Sequence, residues 1–167
     1  LNANSDCLGR VDVEKHMIFQ SADLEVVLDR WVDERDRVDV LALSVYFWNR
    51  EPSLRLAARV KARWPDVLVV VGGNDVTHQA EELFTSCPSV DVLVHGEGER
   101  TFPEVIGRLA GAAADLSDVR GISYRHGGRI VTTAPRERIA DLSTVASPLL
   151  SGVYDAKLET LTLRQNI

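Results

Sequence analysis

The chain has 167 residues, of which 45% are hydrophobic and 26% are charged, as in a globular domain with a substantial core. Its net charge of −6 argues against nonspecific binding to nucleic acid or to an anionic membrane, because both repel an acidic protein. No apolar run approaches the ~20 residues that a membrane span needs, and the N-terminus lacks the basic and apolar segments of a signal peptide. We therefore expect a cytoplasmic protein, and the scattered cysteines Cys7 and Cys87 also indicate a reducing compartment.

The first part of the chain predicts a strand and a helix. Residues 1–15 are polar, and His16–Gln20 is a short strand candidate. Ser21 predicts the N-cap of a helix, and the apolar residues that follow at helical spacing are Leu24, Val27, Leu28, Trp31 and Val32. In the doubly wound strand order 2-1-3-4-5, His16–Gln20 would be strand 2. Strand 1 and most of the first helix are then expected upstream of Leu1.

Three apolar segments predict buried strands that alternate with helices, at Val38–Tyr46, Val67–Val71 and Asp91–Val94. This alternation predicts an α/β fold with a doubly wound parallel sheet. The glycines that follow the second and third of these strands are Gly72, Gly73, Gly96 and Gly98. Ligands of open α/β sheets bind at the carboxyl ends of the strands, so we expect residues 44–51, 72–77 and 95–101 to form one binding rim. Tight turns without a ligand are the alternative.

Local signals predict where the remaining helices begin. Pro52 suits the first turn of the helix after the first apolar strand. Thr77 predicts the N-cap of the next helix. The segment Thr101–Glu104 predicts a capping box, in which the hydroxyl and the carboxylate bond free backbone N–H groups reciprocally.

The pattern changes after residue 115. Gly121–Thr133 predicts a β-hairpin that turns at Gly127 and Gly128. Residues 134–167 predict an extended connector that leads away from the domain. We therefore divide the chain into an α/β domain, residues 1–115, and a hairpin with its connector, residues 116–167.

The histidines predict no metal site, because none of their spacings suits a metal ion; they are His16, His78, His95 and His126. His95 follows a strand, where it could take part in binding or could simply be hydrogen-bonded. No phosphate-binding glycine motif, dinucleotide motif or nucleophile elbow is present. The residues alone thus predict a ligand-binding domain and no catalytic group.

Two pairs of residues at the predicted rim have alternative roles. Glu97 and Glu99 could act as acid and base, or Glu99 could stabilise a helix N-terminus through the helix dipole. Phe47 and Trp48 could cover a flat ligand, or they could fold back onto a helix.

An ordered succession of motifs carries a family resemblance. Val-Val-Gly-Gly-Asn-Asp-Val-Thr ends at Thr77, and Val-Asp-Val-Leu-Val-His-Gly-Glu-Gly-Glu-Arg-Thr-Phe-Pro-Glu starts at Val90. Gly-Ile-Ser-Tyr-Arg with its Gly-Gly turn follows, and then Asp-Leu and Ser-Pro. Together they closely resemble the N-terminal cobalamin-binding domain of cobalamin-dependent radical S-adenosylmethionine enzymes of the class B methyltransferase type, most clearly from Val38 to Leu150.

The resemblance implies a flavodoxin-like (Rossmann-like) domain with a corrinoid over the carboxyl rim. It also implies a C-terminal barrel of the same polypeptide, which binds S-adenosylmethionine and a 4Fe-4S cluster on a C-x-x-x-C-x-x-C motif that this chain does not contain. The implied partners are cobalamin, that barrel and a small-molecule substrate. The implied cofactor-binding residues are Ser44, Tyr46, Phe47, Trp48, Gly72, Gly73, Val76, Thr77, His95, Gly96, Glu97, Gly98 and Glu99.

Two functions from different classes follow. The first is the cobalamin-binding domain of a radical S-adenosylmethionine methyltransferase, in which the corrinoid relays a methyl group to an unactivated substrate carbon. The alternative is a stand-alone flavodoxin-like binding or sensory module without catalysis. The fragment itself is expected to be non-catalytic under either interpretation.

A further hypothesis concerns the cobalt. The motif D-x-H-x-x-G, with which other cobalamin domains supply a histidine, does not occur in this chain. We therefore expect cobalamin to bind without a protein histidine on cobalt, with the loop Phe47–Arg50 and above all Trp48 against the lower face of the corrin. Gly73→Val is expected to abolish binding by filling space for the nucleotide tail.

Overall fold

The computed structural model describes residues 24–109 and 115–147. These residues form an open five-stranded sheet with helices on both faces. In chain order, the elements are α1 (Leu24–Asp33), β1 (Val40–Ser44), α2 (Arg50–Arg63), β2 (Leu68–Gly72), α3 (Ala80–Ser86), β3 (Val92–Val94), α4 (Gly98–Leu109), β4 (Ile122–His126), β5 (Arg129–Thr132) and a short 3-10 helix (Leu142–Thr144). The predicted strand His16–Gln20 lies outside the described residues.

The sheet has the strand order β1-β2-β3-β4-β5. β1, β2 and β3 are parallel, as the apolar runs predict. β4 and β5 form the predicted hairpin at Gly127 and Gly128, both of which have positive φ. The hairpin is hydrogen-bonded to β3 in antiparallel orientation, so the described sheet is mixed and not purely parallel.

Hydrophobic cores lie on both faces of the sheet, because its central strands are apolar on both sides. On one face, α1, α2 and α3 pack over side chains such as Val69 and Val71. On the other face, α4 packs over Val70, Val92 and Val94. The doubly wound arrangement predicted from the alternation of strands and helices is confirmed.

None of the helices in the described part of the chain is long and apolar enough to cross a membrane.

Two predicted helix caps are wrong. The N-cap residue of α3 is Gln79, and the Thr77 hydroxyl instead accepts a hydrogen bond from the Gly96 N–H at 2.7 Å. α4 begins at Gly98, so Thr101 lies inside the helix, where its hydroxyl donates to the Glu97 carbonyl at 3.5 Å. The Thr77 hydroxyl thus bonds a group from a neighbouring loop, whereas the Thr101 hydroxyl bonds the carbonyl one helical turn earlier.

The segment after the hairpin does not lead away from the domain as predicted, at least as far as residue 147. It is extended, but it returns along α4. Arg136 forms an ion pair with Glu104, and the Thr144 hydroxyl accepts a hydrogen bond from Arg100 at 2.9 Å. Ile139 is buried. The division of the chain at residue 115 stays a prediction.

Candidate functional site

The carboxyl ends of the three parallel strands meet at one edge of the sheet. Ser44 is in register with Gly72, and Gly72 is in register with Val94. The Val45 N–H donates to the Gly72 carbonyl at 2.7 Å, which extends the pairing into the first loop. Residues 44–51, 72–77 and 95–101 therefore lie at the same end of the sheet, as predicted. We call these three loops the carboxyl rim.

Asn49 holds the first loop of the rim in shape. Its side chain donates to the Ser44 carbonyl at 3.0 Å and accepts from the Tyr46 N–H at 2.7 Å. The sequence interpretation missed this residue. An asparagine directly before a helix is a signal that could have found it, since its side chain readily bonds nearby backbone groups.

Two of the three aromatic residues of this loop, Phe47 and Trp48, are exposed to solvent. The rings of Tyr46 and Trp48 stack with centroids 4.7 Å apart and planes 3° apart, and Phe47 meets Trp48 edge-on at 4.8 Å. Phe47 is 79% exposed and Trp48 is 51% exposed. These two rings do not fold back onto a helix. Exposed aromatic groups of this size are typical of interaction sites.

The four rim glycines have different surroundings. A Cβ added to Gly73, whose φ is +114°, would lie 2.3 Å from the Val45 carbonyl oxygen. A Cβ at Gly72 would make an ordinary contact with Val94 at 3.5 Å. Among the described residues, a Cβ at Gly96 would meet no atom within 4 Å, and one at Gly98 would meet only Val94 Cγ1 at 4.0 Å. Gly73 is therefore required by the neighbouring loop, whereas Gly96 and Gly98 border open space.

The second loop of the rim is anchored by a buried side chain and a cation. Val76 is fully buried in the core, so only its backbone can face a ligand. Arg50, the first residue of α2, pairs with the Asp75 carboxylate at 2.8 Å and donates to Gln79 at 3.0 Å. This ion pair is partly buried and joins the first loop to the second.

His95 connects the second and third loops. Its Nδ1 lies 2.7 Å from the Thr77 carbonyl oxygen, and its Nε2 lies 2.7 Å from the Ser123 hydroxyl. Because a carbonyl oxygen only accepts, Nδ1 carries a proton. Both ring nitrogens thus have partners within the fold, as the hydrogen-bonded role considered for His95 requires. Its part in cofactor binding stays a prediction. No local signal identifies Ser123 as the partner of His95, because this residue lies 28 positions away on the hairpin.

The two carboxylates of the third loop differ in their contacts. Glu97 accepts a hydrogen bond from the Ile139 N–H at 2.7 Å and so holds the returning segment against the rim. Glu99 is exposed in the first turn of α4, where a negative charge is favoured by the helix dipole. Among residues 24–109 and 115–147, no group of three or more His, Cys, Asp or Glu side chains could hold a metal ion.

The described residues thus form an open-sheet α/β domain of the Rossmann-like class, with a rim that exposes aromatic rings and glycine backbone. Residues 7–106 match the family model of the B12 binding domain. The chain belongs to this family. The resemblance to cobalamin-binding domains that the motifs indicate is therefore confirmed.

Curated relatives agree with this assignment. The chain is 42% identical over 126 residues to 2-(S-pantetheinyl)-carbapenam-3-carboxylate methyltransferase of Streptantibioticus cattleyicolor, and this covers 75% of the chain and 18% of the relative. It is 41% identical over 122 residues to the cobalamin-dependent radical SAM methyltransferase TokK of Streptomyces tokunonensis, which covers 73% and 18%. The alignments thus span less than a fifth of the length of either relative.

A solved structure shows the same fold. The cobalamin-dependent S-adenosylmethionine radical enzyme OxsB, with aqua-cobalamin and S-adenosylmethionine bound, aligns with a TM-score of 0.59 at 21% identity. The aligned part covers 78% of this chain and 18% of that chain.

Proposed function

We propose that this chain is the cobalamin-binding domain of a radical S-adenosylmethionine methyltransferase. The observation that carries the proposal is the carboxyl rim, where the open space at Gly96 and Gly98 accompanies the exposed rings of Phe47 and Trp48. Open α/β sheets bind ligands at this edge. Membership of the B12 binding domain family supports cobalamin as the ligand.

The residues of the rim fit a large, flat and partly apolar cofactor. Gly96 and Gly98 would admit the cofactor close to the backbone, since neither presents a side chain. Phe47 and Trp48 would bury their exposed rings against the macrocycle. The exposed Ser44 hydroxyl can bond an amide of the cofactor. When bound, cobalamin supplies the cobalt chemistry that transfers a methyl group.

The proposal includes binding without a protein histidine on cobalt. His95 supports this part, because both of its ring nitrogens already have partners within the fold. Trp48 is the large apolar side chain that would exclude water from one face of the macrocycle. An apolar cover withholds a donor atom from the metal and so favours a low coordination number.

The spectroscopic test uses cobalamin bound to the protein expressed from the complete coding sequence. Electron-spin spectra of the wild type should show no nitrogen coupling from a protein imidazole. Trp48→His and Trp48→Ala should both change the visible spectrum, whereas His78→Ala, on an exposed residue next to Thr77, should leave it unchanged. Imidazole coupling in the wild type, or an unchanged spectrum for Trp48→His, would contradict this part.

The methyl relay is proposed from the relatives, of which one is named for its action on a pantetheinylated carbapenam and another for cobalamin-dependent radical chemistry. S-Adenosylmethionine and a 4Fe-4S cluster are then expected in a C-terminal barrel of the same polypeptide, and the acceptor is an unactivated carbon of a small molecule. The test supplies the full-length protein with cobalamin, reductant and methyl-labelled S-adenosylmethionine, with 2-(S-pantetheinyl)-carbapenam-3-carboxylate as the first probe.

Transfer of the label to a carbon of the probe would support the relay. Cobalamin binding without any consumption of S-adenosylmethionine would instead favour the alternative, a stand-alone binding or sensory module.

A further inference from the structure

A continuous chain of hydrogen bonds runs from the carboxyl rim to the hairpin. The Thr77 carbonyl accepts from His95 Nδ1 at 2.7 Å, and His95 Nε2 lies 2.7 Å from the Ser123 hydroxyl. The Ser123 hydroxyl in turn lies 2.8 Å from the Thr132 hydroxyl. The chain joins the β2 exit, the β3 exit and both strands of the hairpin.

The contact between the two rim loops is double. Besides the bond to His95, Thr77 accepts the Gly96 N–H on its hydroxyl at 2.7 Å. Thr77 thus bonds two successive residues of the opposite loop, one through its backbone and one through its side chain. Gly96 is also the position at which the described structure leaves open space beside the backbone. The bond from His95 therefore fixes the loop that borders this space.

The acceptor character of the Thr77 carbonyl determines which atoms donate along this chain of hydrogen bonds. Nδ1 must donate, because the Thr77 carbonyl oxygen can only accept. In the neutral imidazole, Nε2 is then a bare acceptor for the Ser123 O–H, and Ser123 accepts from Thr132. The Ser123 hydroxyl is buried, with no exposed surface on the residue.

We propose that His95 is a positioning residue for the cofactor: it bonds Thr77 and Ser123 and so holds the Gly96 loop at the spacing that admits the corrinoid. This inference rests on the proposed cobalamin binding. His95 contributes no atom to the metal in this role. Its loss should let the Thr77 and Gly96 loops separate, and the cofactor would then have to order them when it binds.

Two amide substitutions test the hydrogen bonds of His95 Nδ1 and of His95 Nε2 separately. The side-chain nitrogen of Asn in His95→Asn reaches the place of Nδ1 and can donate to the Thr77 carbonyl, but it cannot reach Ser123. The amide of Gln in His95→Gln reaches the place of Nε2 and leaves the Thr77 carbonyl without its donor. His95→Ala removes both bonds. His126→Gln is the matched control, since His126 is an exposed histidine on β4, the hairpin strand that also contains Ser123.

The experiment measures binding of hydroxocobalamin by the full-length protein, and hydrogen exchange of the peptide that contains the Gly96 amide. His95→Ala and His95→Gln should weaken binding about tenfold, as expected for the loss of one or two ordering hydrogen bonds. The same two variants should speed exchange at Gly96 by a similar factor. His95→Asn should restore both properties to within about threefold of the wild type, and His126→Gln should match the wild type.

Equal weakening by all three His95 variants would overturn the proposal, since it would indicate a general loss of packing. Wild-type affinity and exchange in His95→Gln would overturn it as well. A wild-type protein that did not bind hydroxocobalamin would refute the proposed function instead. The exchange rates at Gly96 in His95→Asn and His95→Gln would still decide whether His95 sets the loop.

Discussion

The rim glycines allow a test that separates a requirement of the fold from a requirement of the ligand. Gly73→Ala and Gly98→Ala add the same methyl group at two positions of one rim. At Gly73 the methyl would lie 2.3 Å from the Val45 carbonyl oxygen and 2.9 Å from the Val45 nitrogen. At Gly98 it would meet only Val94 Cγ1, at 4.0 Å, among the described residues.

The two substitutions should differ strongly in their effect on stability. A non-glycine residue at the Gly73 φ of +114° is strained by about 1–3 kcal/mol. Displacing Val45 adds about 1–3 kcal/mol and disturbs the 2.7 Å bond from its N–H to Gly72. The expected loss is then about 2–6 kcal/mol, a large part of the ~5–15 kcal/mol that stabilise a domain. Gly98, the first residue of α4, has no positive φ. Alanine there should leave the stability unchanged or raise it by up to ~1 kcal/mol.

Cobalamin binding should show a different pattern. A methyl at Gly98 would fill space that the bound cofactor needs, which costs about 1–3 kcal/mol, or about 5- to 150-fold in Kd. Gly73→Ala should also bind poorly, but because the rim is distorted. The assay combines thermal unfolding with a titration of hydroxocobalamin on the full-length protein. Binding lost with stability intact is the signature expected of Gly98→Ala alone.

Two results would refute the reasoning. Wild-type stability of Gly73→Ala would show that the approach of Val45 does not require glycine. Wild-type affinity of Gly98→Ala would place the cofactor away from this end of α4. The loss of binding predicted for Gly73→Val from the sequence cannot make this distinction, because valine at this position also collides with Val45.

Three further predictions concern other parts of the domain. Thr77→Val should weaken cobalamin binding by about 1 kcal/mol, or about fivefold, because it removes the acceptor of the Gly96 N–H, and Thr77→Ser should retain wild-type binding in the same titration. Asp91→Ala should lower the free energy of unfolding by about 1–3 kcal/mol in a denaturant titration, because the Asp91 carboxylate accepts hydrogen bonds from Lys61 and from the Val69 N–H. An equal loss of stability in the control Asp118→Ala, at an exposed position, would contradict this. Burial raises the pKa of the Cys87 thiol, so less of the reactive thiolate is present at a given pH. In a Cys7→Ser background, iodoacetamide should therefore modify Cys87 more slowly in folded than in urea-unfolded protein, and equal rates would contradict the raised pKa.

The sequence predicts the strands of this domain well because their signals are local. Val67–Val71 is a run of five aliphatic residues that suits a strand covered on both faces, and β2 occupies Leu68–Gly72. The hairpin is equally local, since Gly127 and Gly128 supply the positive φ that the turn needs. That parallel strands end at one edge follows from the alternation with helices. The position of the rim was therefore contained in the sequence.

The tertiary structure decided which partners the rim residues take. Thr77 lies shortly before α3 and Thr101 lies in the first turns of α4. The sequence preferences of helix N-termini assign both hydroxyls to capping. In the fold, the Thr77 hydroxyl bonds Gly96, which is 19 positions away, because the pairing of β2 with β3 brings the two exit loops together. Gly73 likewise owes its requirement to Val45, 28 positions earlier in the chain.

The sequence by itself determined the α/β class, the apolar strands and the glycine-rich exits, since each depends on the residue types within one short segment. Only the tertiary structure decided that His95 bonds both Thr77 and Ser123, and that the chain after the hairpin returns to Glu97 and α4. A side-chain hydroxyl, imidazole or carboxylate can satisfy its hydrogen bonds with many partners. Which partner it takes depends on distances between segments, and those distances exist only once the sheet has formed.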